Sequence, residues 1–376
     1  MRKIPSITDL LGVLFALGSV VSIAPSGRAA ALILPPPSTW TASAELTGTI
    51  GYKDNLLLSS YAPESSAFAG AAADLMWWHL PQGPVDYVVY LNADGRRYFS
   101  GQAVDHEAFA ALFGEWRRRL PDQGQFAFDL RGFYSDRVLD ISDTAVQRVV
   151  APIKVSGVNT GPVLRWNFSP RWWGEWSALG AQTAYAGAAN NHAAAEGGAK
   201  LGFKASEHWS AVFAAQRRER AYVRRRQYSV SGRELEGTRL RVVEDESTFR
   251  LEYERASLQT SLRAAHVRFA DNGIGYLGYR RDRLASEVEW KQGDWRWELE
   301  ASVARKIYAV QTVGFGIVTP YRREDEVATR LRVERRINAR WLALVELSTE
   351  RVRSNDALSA YHSKEGLLGL RWNWEK

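Results

Sequence analysis

The chain has 376 residues, is 45% hydrophobic and 24% charged, carries a net charge of +7 and contains no Cys. Without Cys it can hold neither a disulfide scaffold nor a thiolate metal site, and it has no Cys nucleophile. No run after residue 24 approaches the roughly 20 apolar residues of a membrane-spanning helix, which excludes a helical membrane bundle. Against a mean hydropathy of −0.31, the 15 Trp are an unusual excess.

The N-terminal segment has the composition of an export signal. Two basic residues precede an apolar run at residues 10–17, and Ala29 and Ala31 form an A-x-A pair. A charged start, a short apolar core and small residues at the cleavage site are the three parts of a signal peptide. The apolar run is too short for an uncleaved anchor helix. We therefore predict that residues 1–31 are a cleaved signal peptide.

From residue 40 onward, apolar and polar side chains alternate with a period of two. Residues 295–304 (WRWELEASVA), 327–334 (VATRLRVE) and 367–374 (LLGLRWNW) are examples. A helix would instead repeat its apolar residues at spacings of three and four. The pattern predicts β-strands of about 10 residues or more.

The connections between these strands are of two kinds that take turns along the chain. Seven are short and rich in turn-forming residues: 81–84, 121–124, 169–171, 207–208, 256–257, 291–294 and 338–340. Eight are longer: 53–65, 100–105, 140–152, 187–193, 224–243, 270–278, 309–321 and 353–361. Fifteen connections predict sixteen antiparallel strands, and alternating short turns and long loops are typical of an outer-membrane barrel. A soluble propeller would show a repeat of about 40 to 50 residues, and the sequence has none.

The aromatic residues divide between the two ends of these strands. Every Trp lies at or near a short turn, whereas most Tyr lie in or beside a long loop. Indole and phenol rings favour the two interfaces of a bilayer, so this division predicts an aromatic girdle at each end of a transmembrane barrel. The periplasmic girdle is predicted to include Trp77, Trp116, Trp172, Trp209, Trp290, Trp295, Trp341 and Trp372. The alternative, a platform of Trp that stacks on sugars, would place them on one surface only.

The chain resembles the Gram-negative outer-membrane β-barrels, and among them the sixteen-stranded porins, over residues 40–374. The resemblance is carried by the signal peptide, the rhythm of the connections and a terminal strand with alternating Leu368, Leu370, Trp372 and Trp374. It implies an all-β fold, a single transmembrane antiparallel β-barrel of about 16 strands with short periplasmic turns and long extracellular loops. It also implies assembly by the barrel-assembly machinery.

Residues 51–55, with the sequence GYKDN, also look like the opening of barrels associated with exopolysaccharide or surface-protein export. No change in composition or periodicity after residue 40 indicates a second domain. We predict a signal peptide at 1–31, a Pro-rich segment at 32–39 and one outer-membrane β-barrel at 40–376.

If the phase that carries Trp faces lipid, the opposite phase lines the interior. An Arg or Lys in the lipid phase would cost about 2–4 kcal/mol at mid-membrane, so the charged phase is expected inside. The predicted pore lining is Asp129, Arg131, Arg250, Glu252, Arg263, Arg281, Arg283, Glu287, Arg296, Glu298, Arg330, Arg332, Glu334, Glu346 and Arg371. Any one of these residues could instead pair with a neighbouring strand and support the wall. An excess of Arg in strands nine to fourteen favours a mild preference for anionic solutes or glycans.

Two long loops carry further expectations. Loop 140–152 contains Ile141, Val146 and Val149 and is more apolar than a solvated loop needs to be. We expect it to fold inward and narrow the pore, as the third loop does in porins, or else to pack on other loops. Loop 224–243 is rich in Arg and would meet lipopolysaccharide phosphates or an acidic polymer, or remain a solvated loop.

The sequence gives no support for catalysis. Its six His residues are scattered, with no pair at metal-ligand spacing, and neither G-x-S-x-G nor a phosphate-binding loop occurs. We expect no enzyme, metal, cofactor or nucleic-acid partner. The predicted function is a porin-like channel of the cell outer membrane for passive or charge-selective passage of small solutes, in contact with outer-membrane lipid and lipopolysaccharide. Assembly as a homotrimer is an open alternative to a monomer. The alternatives are a barrel component of exopolysaccharide or surface-protein export, and a soluble secreted glycan-binding β protein.

Overall fold

The computed structural model describes residues 40–61, 63–79, 83–121, 123–140, 150–187, 190–314 and 318–375. The predicted signal peptide and the Pro-rich segment, residues 1–39, lie outside these ranges. Most of the third long loop, residues 141–149, lies outside them as well. Within the described residues, no helix is both long and apolar enough to cross a membrane.

Sixteen antiparallel strands, each paired with its neighbours in the chain, form one closed barrel. The strands are β1 Trp40–Lys53, β2 Ser66–His79, β3 Val85–Tyr98, β4 His106–Arg119, β5 Gly124–Asp140, β6 Val150–Asn167, β7 Trp172–Tyr185, β8 His192–Lys204, β9 Trp209–Tyr222, β10 Arg241–Arg255, β11 Leu258–Asp271, β12 Tyr279–Gln292, β13 Trp295–Thr312, β14 Tyr321–Arg336, β15 Trp341–Ser354 and β16 Tyr361–Glu375. The last strand pairs with the first and closes the barrel. The predicted all-β fold of sixteen strands with alternating short and long connections is confirmed.

Several strands continue further into the long connections than the sequence indicates. β6 begins at Val150 and β13 ends at Thr312, both inside segments expected to be loops. The β5–β6 ladder reaches the pair Asp140 and Val150, and β13 shifts its register between Ile307 and Thr312. Backbone hydrogen bonds prolong these strands beyond the alternating pattern, and the sequence offers no other signal for where they end.

The turn at Gly293 and Asp294 illustrates how the short connections are made. β12 ends at Gln292 and β13 begins at Trp295, so the turn has two residues. Gly293 has a φ of 58°. Two-residue turns that match the twist of their strands need a positive φ, which Gly adopts without a steric penalty.

The strand register determines which side chains share a face, because successive side chains point to opposite sides. At the β1–β16 seam, Leu46 lies opposite Trp372 and Ile50 lies opposite Leu368. Ile50 is 63% exposed and Leu368 is 55% exposed. The same apolar, exposed phase passes from strand to strand around the barrel. It is therefore the outer surface, and the opposite phase faces the lumen.

Candidate pore lining and its constriction

The outer surface carries a band of exposed apolar side chains. Phe213, Leu299 and Val327, on three different strands, are between 46% and 51% exposed. Apolar surface of this extent is normally covered by lipid or by another protein. A closed barrel also leaves no unpaired strand edge, as hydrocarbon requires. The band is that of a transmembrane barrel, and it argues against a soluble secreted protein.

All eight Trp predicted for the periplasmic girdle lie in the outward phase and close to a short turn. They are Trp77, Trp116, Trp172, Trp209, Trp290, Trp295, Trp341 and Trp372. Trp341 and Trp372 are cross-strand neighbours. Trp173 instead faces the lumen, where its ring lies 4.1 Å from the guanidinium carbon of Arg165. Proximity to a turn therefore does not by itself place a Trp against lipid.

The fifteen residues predicted to line the pore all lie in the inward phase. They belong to β5 (Asp129, Arg131), β10 (Arg250, Glu252), β11 (Arg263), β12 (Arg281, Arg283, Glu287), β13 (Arg296, Glu298), β14 (Arg330, Arg332, Glu334), β15 (Glu346) and β16 (Arg371). The strand register brings most of those on β12 to β16 together. They form one charged wall that runs along the lumen.

Arg296 links three strands of this wall. Its Nη2 lies 2.7 Å from a carboxylate oxygen of Glu289 on β12, and its Nη1 lies 3.4 Å from one of Glu334 on β14. Glu298, two residues along β13, is 3.6 Å from the same guanidinium. The planar guanidinium can serve several carboxylates at once. Arg296 therefore holds acidic groups of three adjacent strands in place.

Arg330 plays the same part for an acidic cluster nearer mid-barrel. Glu287, Glu298 and Glu300 each bring a carboxylate oxygen within 4.8 Å of the others. Arg330 Nη2 lies 2.9 Å from Glu298 and also forms an ion pair with Glu300. The guanidinium thus balances the charge of two of the three carboxylates.

The charged wall continues across the seam that closes the barrel. Arg371 on β16 contacts Glu334 at 3.0 Å and Glu45 on β1 at 3.2 Å. Arg332 contacts Glu334 at 2.9 Å and Glu346 at 3.7 Å. Glu334 is almost fully buried under these two guanidinium groups. The ion pairs connect the first strand of the barrel to the last three.

The remaining arginines of the lining are paired in the same way, with one exception. The pairs are Arg131 with Asp129 at 2.8 Å, Arg250 with Glu252 at 3.0 Å, Arg263 with Glu246 at 3.0 Å, and Arg281 with Glu326. Arg283 contacts only the hydroxyl of Ser302, at 3.4 Å, within the described part of the chain. Carboxylates therefore balance most of the Arg charge, and the preference for anions stays a prediction.

Loop 1, described at residues 54–61 and 63–65, packs inside the barrel. Leu56 and Leu57 are each 1% exposed. They belong to a buried apolar cluster with Phe68 of β2 and Tyr98 of β3, which both lie in the inward phase. Burial of these leucines against the inner wall is the hydrophobic contribution that keeps the loop out of solvent.

Polar side chains of loop 1 attach it to the last strand. The backbone N–H of Lys364 donates to Asp54 Oδ1 at 2.6 Å. Asn55 Nδ2 donates to the carbonyl oxygens of Ser59 at 2.9 Å and His362 at 3.0 Å. The Ser59 N–H donates in return to Asn55 Oδ1 at 3.0 Å. Asn55 is thus buried with its hydrogen bonds satisfied, as a buried amide must be.

Gly51 leaves room for the ring beneath the loop. A Cβ at this position would lie 2.6 Å from both the Phe68 ring and the carbonyl oxygen of Gly366. Phe68 has no exposed surface at all. The GYKDN segment therefore has two structural roles. Gly51 leaves space for the Phe68 ring, and Asp54 and Asn55 anchor loop 1.

Leu58 forms the tip of loop 1. Its φ of 53° is in the left-handed region, which a branched side chain rarely adopts. Leu58 lines one cavity of about 810 Å³ together with Arg137 of β5, Arg263 of β11 and Arg330 of β14. β14 is three strands from β1 in the closed barrel, β5 is four and β11 is six, so Leu58 extends from the β1 side toward the middle of the lumen and narrows it. In the sequence, the run of three leucines at 56–58 is a sign that loop 1 folds inward. We expected the inward loop at 140–152 instead, and most of that loop lies outside the described residues.

The second girdle of Tyr expected at the loop end is wrong for most strands. Tyr98, Tyr308 and Tyr361 lie in the inward phase. Tyr98 Oη donates to Glu107 at 2.9 Å, and Tyr308 Oη donates to Glu324 at 3.2 Å. Proximity to a long loop does not determine whether a Tyr side chain points inward or outward. These three phenols point inward and bind carboxylates at the loop end of the lumen. Outward positions at this height include Tyr52 and Tyr321 as well as charged residues such as Arg280 and Arg305.

The Arg-rich fifth loop, residues 223–240, is folded on itself. Tyr228 and Glu234 form a β-bridge. Arg225 Nε donates to Tyr228 Oη at 3.2 Å, and its guanidinium carbon lies 5.6 Å from the centre of the Tyr222 ring. Part of the loop's positive charge is therefore used within the loop. Its contact with lipopolysaccharide or an acidic polymer stays a prediction.

The sequence matches no protein-family model and no curated protein. Its fold is similar to solved structures at low identity. OccAB3 of Acinetobacter baumannii is 10% identical with a TM-score of 0.48, over 89% of this chain and 99% of that one. An anion-selective porin from Comamonas acidovorans is 10% identical with a TM-score of 0.46, over 89% and 99%. A bacterial polysaccharide outer membrane secretin is 9% identical with a TM-score of 0.41, over 89% and 98%.

Proposed function

We propose that the chain forms a water-filled channel across the outer membrane for the passive passage of small solutes. The observation that carries the proposal is the charged inward phase of a barrel whose outward phase is apolar. Sixteen strands leave an aqueous lumen, because the interior is too wide to be filled by side chains alone. The wall of ion pairs supplies a polar path, and loop 1 limits its width.

The selectivity of the channel follows from how its charges are arranged. Rows of Arg and Glu set a field across the lumen, which orders polar solutes as they pass. Because most guanidinium groups are paired, we propose that the preference for anions is mild. Arg283, which has no carboxylate partner within the described residues, contributes to it. Reversal potentials in a KCl gradient measure this preference, and cation selectivity at neutral pH contradicts it.

The constriction at loop 1 has its own test. The Leu58→Gly variant removes the side chain at the tip and relieves the positive φ. We expect a higher single-channel conductance in planar bilayers with no loss of heat-modifiable gel migration. The matched control is Leu240→Gly, which removes a buried leucine outside loop 1 and is expected to lower stability without raising the conductance. Unchanged conductance in Leu58→Gly contradicts a constriction by loop 1.

A second candidate, passage of a glycan during export, is favoured by aromatic side chains in the lumen. Tyr90, Phe113 and Phe133 lie in the inward phase of β3, β4 and β5, and Phe133 is 38% exposed. The guanidinium carbon of Arg131 lies 5.5 Å from the centre of the Phe113 ring. Aromatic faces beside polar groups suit sugar rings. Block of the conductance by neutral oligosaccharides, and its loss in Phe133→Ala, supports this candidate over simple diffusion.

We also propose which molecules the barrel contacts in the cell. The Trp girdle sits at the periplasmic interface, the terminal strand is read by the barrel-assembly machinery, and small solutes or glycans are the cargo. We propose no enzymatic activity. A homotrimer remains a further expectation, for which cross-linking in native membranes is the test.

A further inference from the structure

The outward phase changes from apolar to charged near the loop ends of β11 to β15. On β13, Val303 is followed in this phase by Arg305, and on β12, Leu284 gives way to Asp282 and Arg280. We call the arginines above this line the outer basic belt. Its members are Arg268, Arg280, Arg305, Arg323, Arg351 and Arg353. A sharp edge between apolar and charged side chains is where a membrane ends and headgroups begin.

The carboxylates within the belt are already engaged. Asp325 accepts from Arg305 Nε at 2.7 Å and lies 2.9 Å from Arg323 Nη2. Asp282 lies 2.7 Å from His266 Nδ1, a contact that is an ion pair only when the imidazole is protonated. Asp325 therefore offers little to the other arginines around it, and Asp282 forms no ion pair with an arginine among the described residues.

Four arginines of the belt lack an ion-pair partner among the residues that the structure describes. They are Arg268, Arg280, Arg351 and Arg353, all of them exposed. Arg268 and Arg280 are also direct cross-strand neighbours on β11 and β12. Like charges in this position destabilise a sheet. The other neighbour of Arg268 is Asp245, which contacts Arg217 at 3.5 Å. Two adjacent cations facing outward are stabilised by an anion that bridges them.

Below the belt lies a shallow groove of about 1180 Å³ on the outer wall. Its apolar part includes Phe249, Leu284 and Val327, which are between 46% and 49% exposed, and its charged edge includes Arg351 and Arg353. The groove therefore offers apolar surface and cations within one concavity. An occupant that matches both must itself be amphipathic and anionic.

We infer that the outer basic belt and the groove bind a phosphorylated glycolipid of the outer leaflet, of the diphosphorylated lipid A type. Guanidinium groups bind phosphate oxygens in pairs, which suits Arg268 with Arg280 and Arg351 with Arg353. β12 and β15 are three strands apart, or about 14 Å at the usual strand spacing. That separation calls for two phosphates on one headgroup. The acyl chains lie over the apolar part of the groove. The inference rests on the proposed outer-membrane placement.

The test is lipid binding to the detergent-purified full chain, followed by native mass spectrometry with diphosphoryl lipid A as the probe. The variant is Arg268→Gln with Arg280→Gln. The matched control is Arg118→Gln with Arg340→Gln, which removes two exposed arginines at the turn end. We expect binding to be weaker in the variant by on the order of tenfold or more, and unchanged in the control. Monophosphoryl lipid A should bind wild type less tightly than the diphosphoryl form.

Three results overturn the site. They are equal affinity of the variant and wild type, equal binding of diphosphoryl and phosphate-free lipid, and displacement of the lipid by millimolar inorganic phosphate. Heat-modifiable migration of both variants confirms that each barrel is folded. Single-channel conductance is recorded on the same preparations. If wild type binds the lipid but carries no current, the proposed channel is wrong and the lipid site stands. If wild type carries current but does not bind the lipid, only the lipid site is wrong.

Discussion

At the scale of single residues, Arg330 determines the electrostatics of the acidic cluster in the lumen. Glu287, Glu298 and Glu300 hold carboxylate oxygens within 4.8 Å of one another, and Arg330 pairs with two of them. Like charges at this distance repel each other unless a cation lies between them. The guanidinium supplies a positive charge to two of the three carboxylates and so lowers their repulsion.

The Arg330→Gln variant tests this role. Without the guanidinium, the three carboxylates attract cations by about 1 kcal/mol more, or roughly fivefold in local occupancy at the dielectric of water. We expect the reversal potential to shift toward cations and calcium to block the current. Arg283→Gln is the control, because it removes the same charge from a site without a carboxylate partner. Equal calcium block in both variants would contradict the assignment.

At the scale of elements, loop 1 is held by a few buried polar contacts and an apolar cluster. Asn55 makes three hydrogen bonds within and beyond the loop, one of them to His362 on β16. The sequence predicted the strands and the alternation of connections well, because alternation with a period of two repeats in every strand. It could not predict which loop folds inward, since that depends on contacts between residues about 300 positions apart, such as Asn55 with His362.

The Asn55→Ala variant measures how firmly the loop is anchored. Loss of a buried, fully bonded amide costs about 1–3 kcal/mol and leaves the His362 carbonyl without its partner. We expect frequent opening events in single-channel recordings, because loop 1 leaves the lumen more often. The Asn338→Ala variant, in a periplasmic turn, is the control and should record as wild type. A quiet Asn55→Ala channel would argue that the apolar cluster alone holds the loop.

At the scale of the whole molecule, the two phases of the barrel meet two different solvents. Composition and spacing predict an inward phase for the fifteen charged residues at membrane depth, because the cost of a charge in hydrocarbon is large compared with any local preference. The same reasoning failed for Tyr at the loop end, where both phases are wet and the cost disappears. Tyr98 and Tyr308 therefore lie inside, bound to carboxylates.

Substitution of neighbouring residues on β13 tests the orientation of the barrel. Ala301 is outward and lies midway between Trp297 and Arg305, whereas Ser302 is inward. We expect Ala301→Arg to lower the free energy of unfolding in lipid vesicles by about 2–4 kcal/mol. Ser302→Arg, one residue away, should leave stability nearly unchanged and reduce the conductance. The opposite ranking of the two stabilities would mean that the phases are reversed.

Single-channel recording of the purified, heat-modifiable chain in a planar bilayer tests the central claim most directly. If the chain is a channel, each insertion of a barrel into the bilayer gives a stepwise increase in ion current. We expect the steps to be larger for Leu58→Gly than for wild type. A folded barrel that inserts into the bilayer yet carries no current above background, in both proteins, would contradict it.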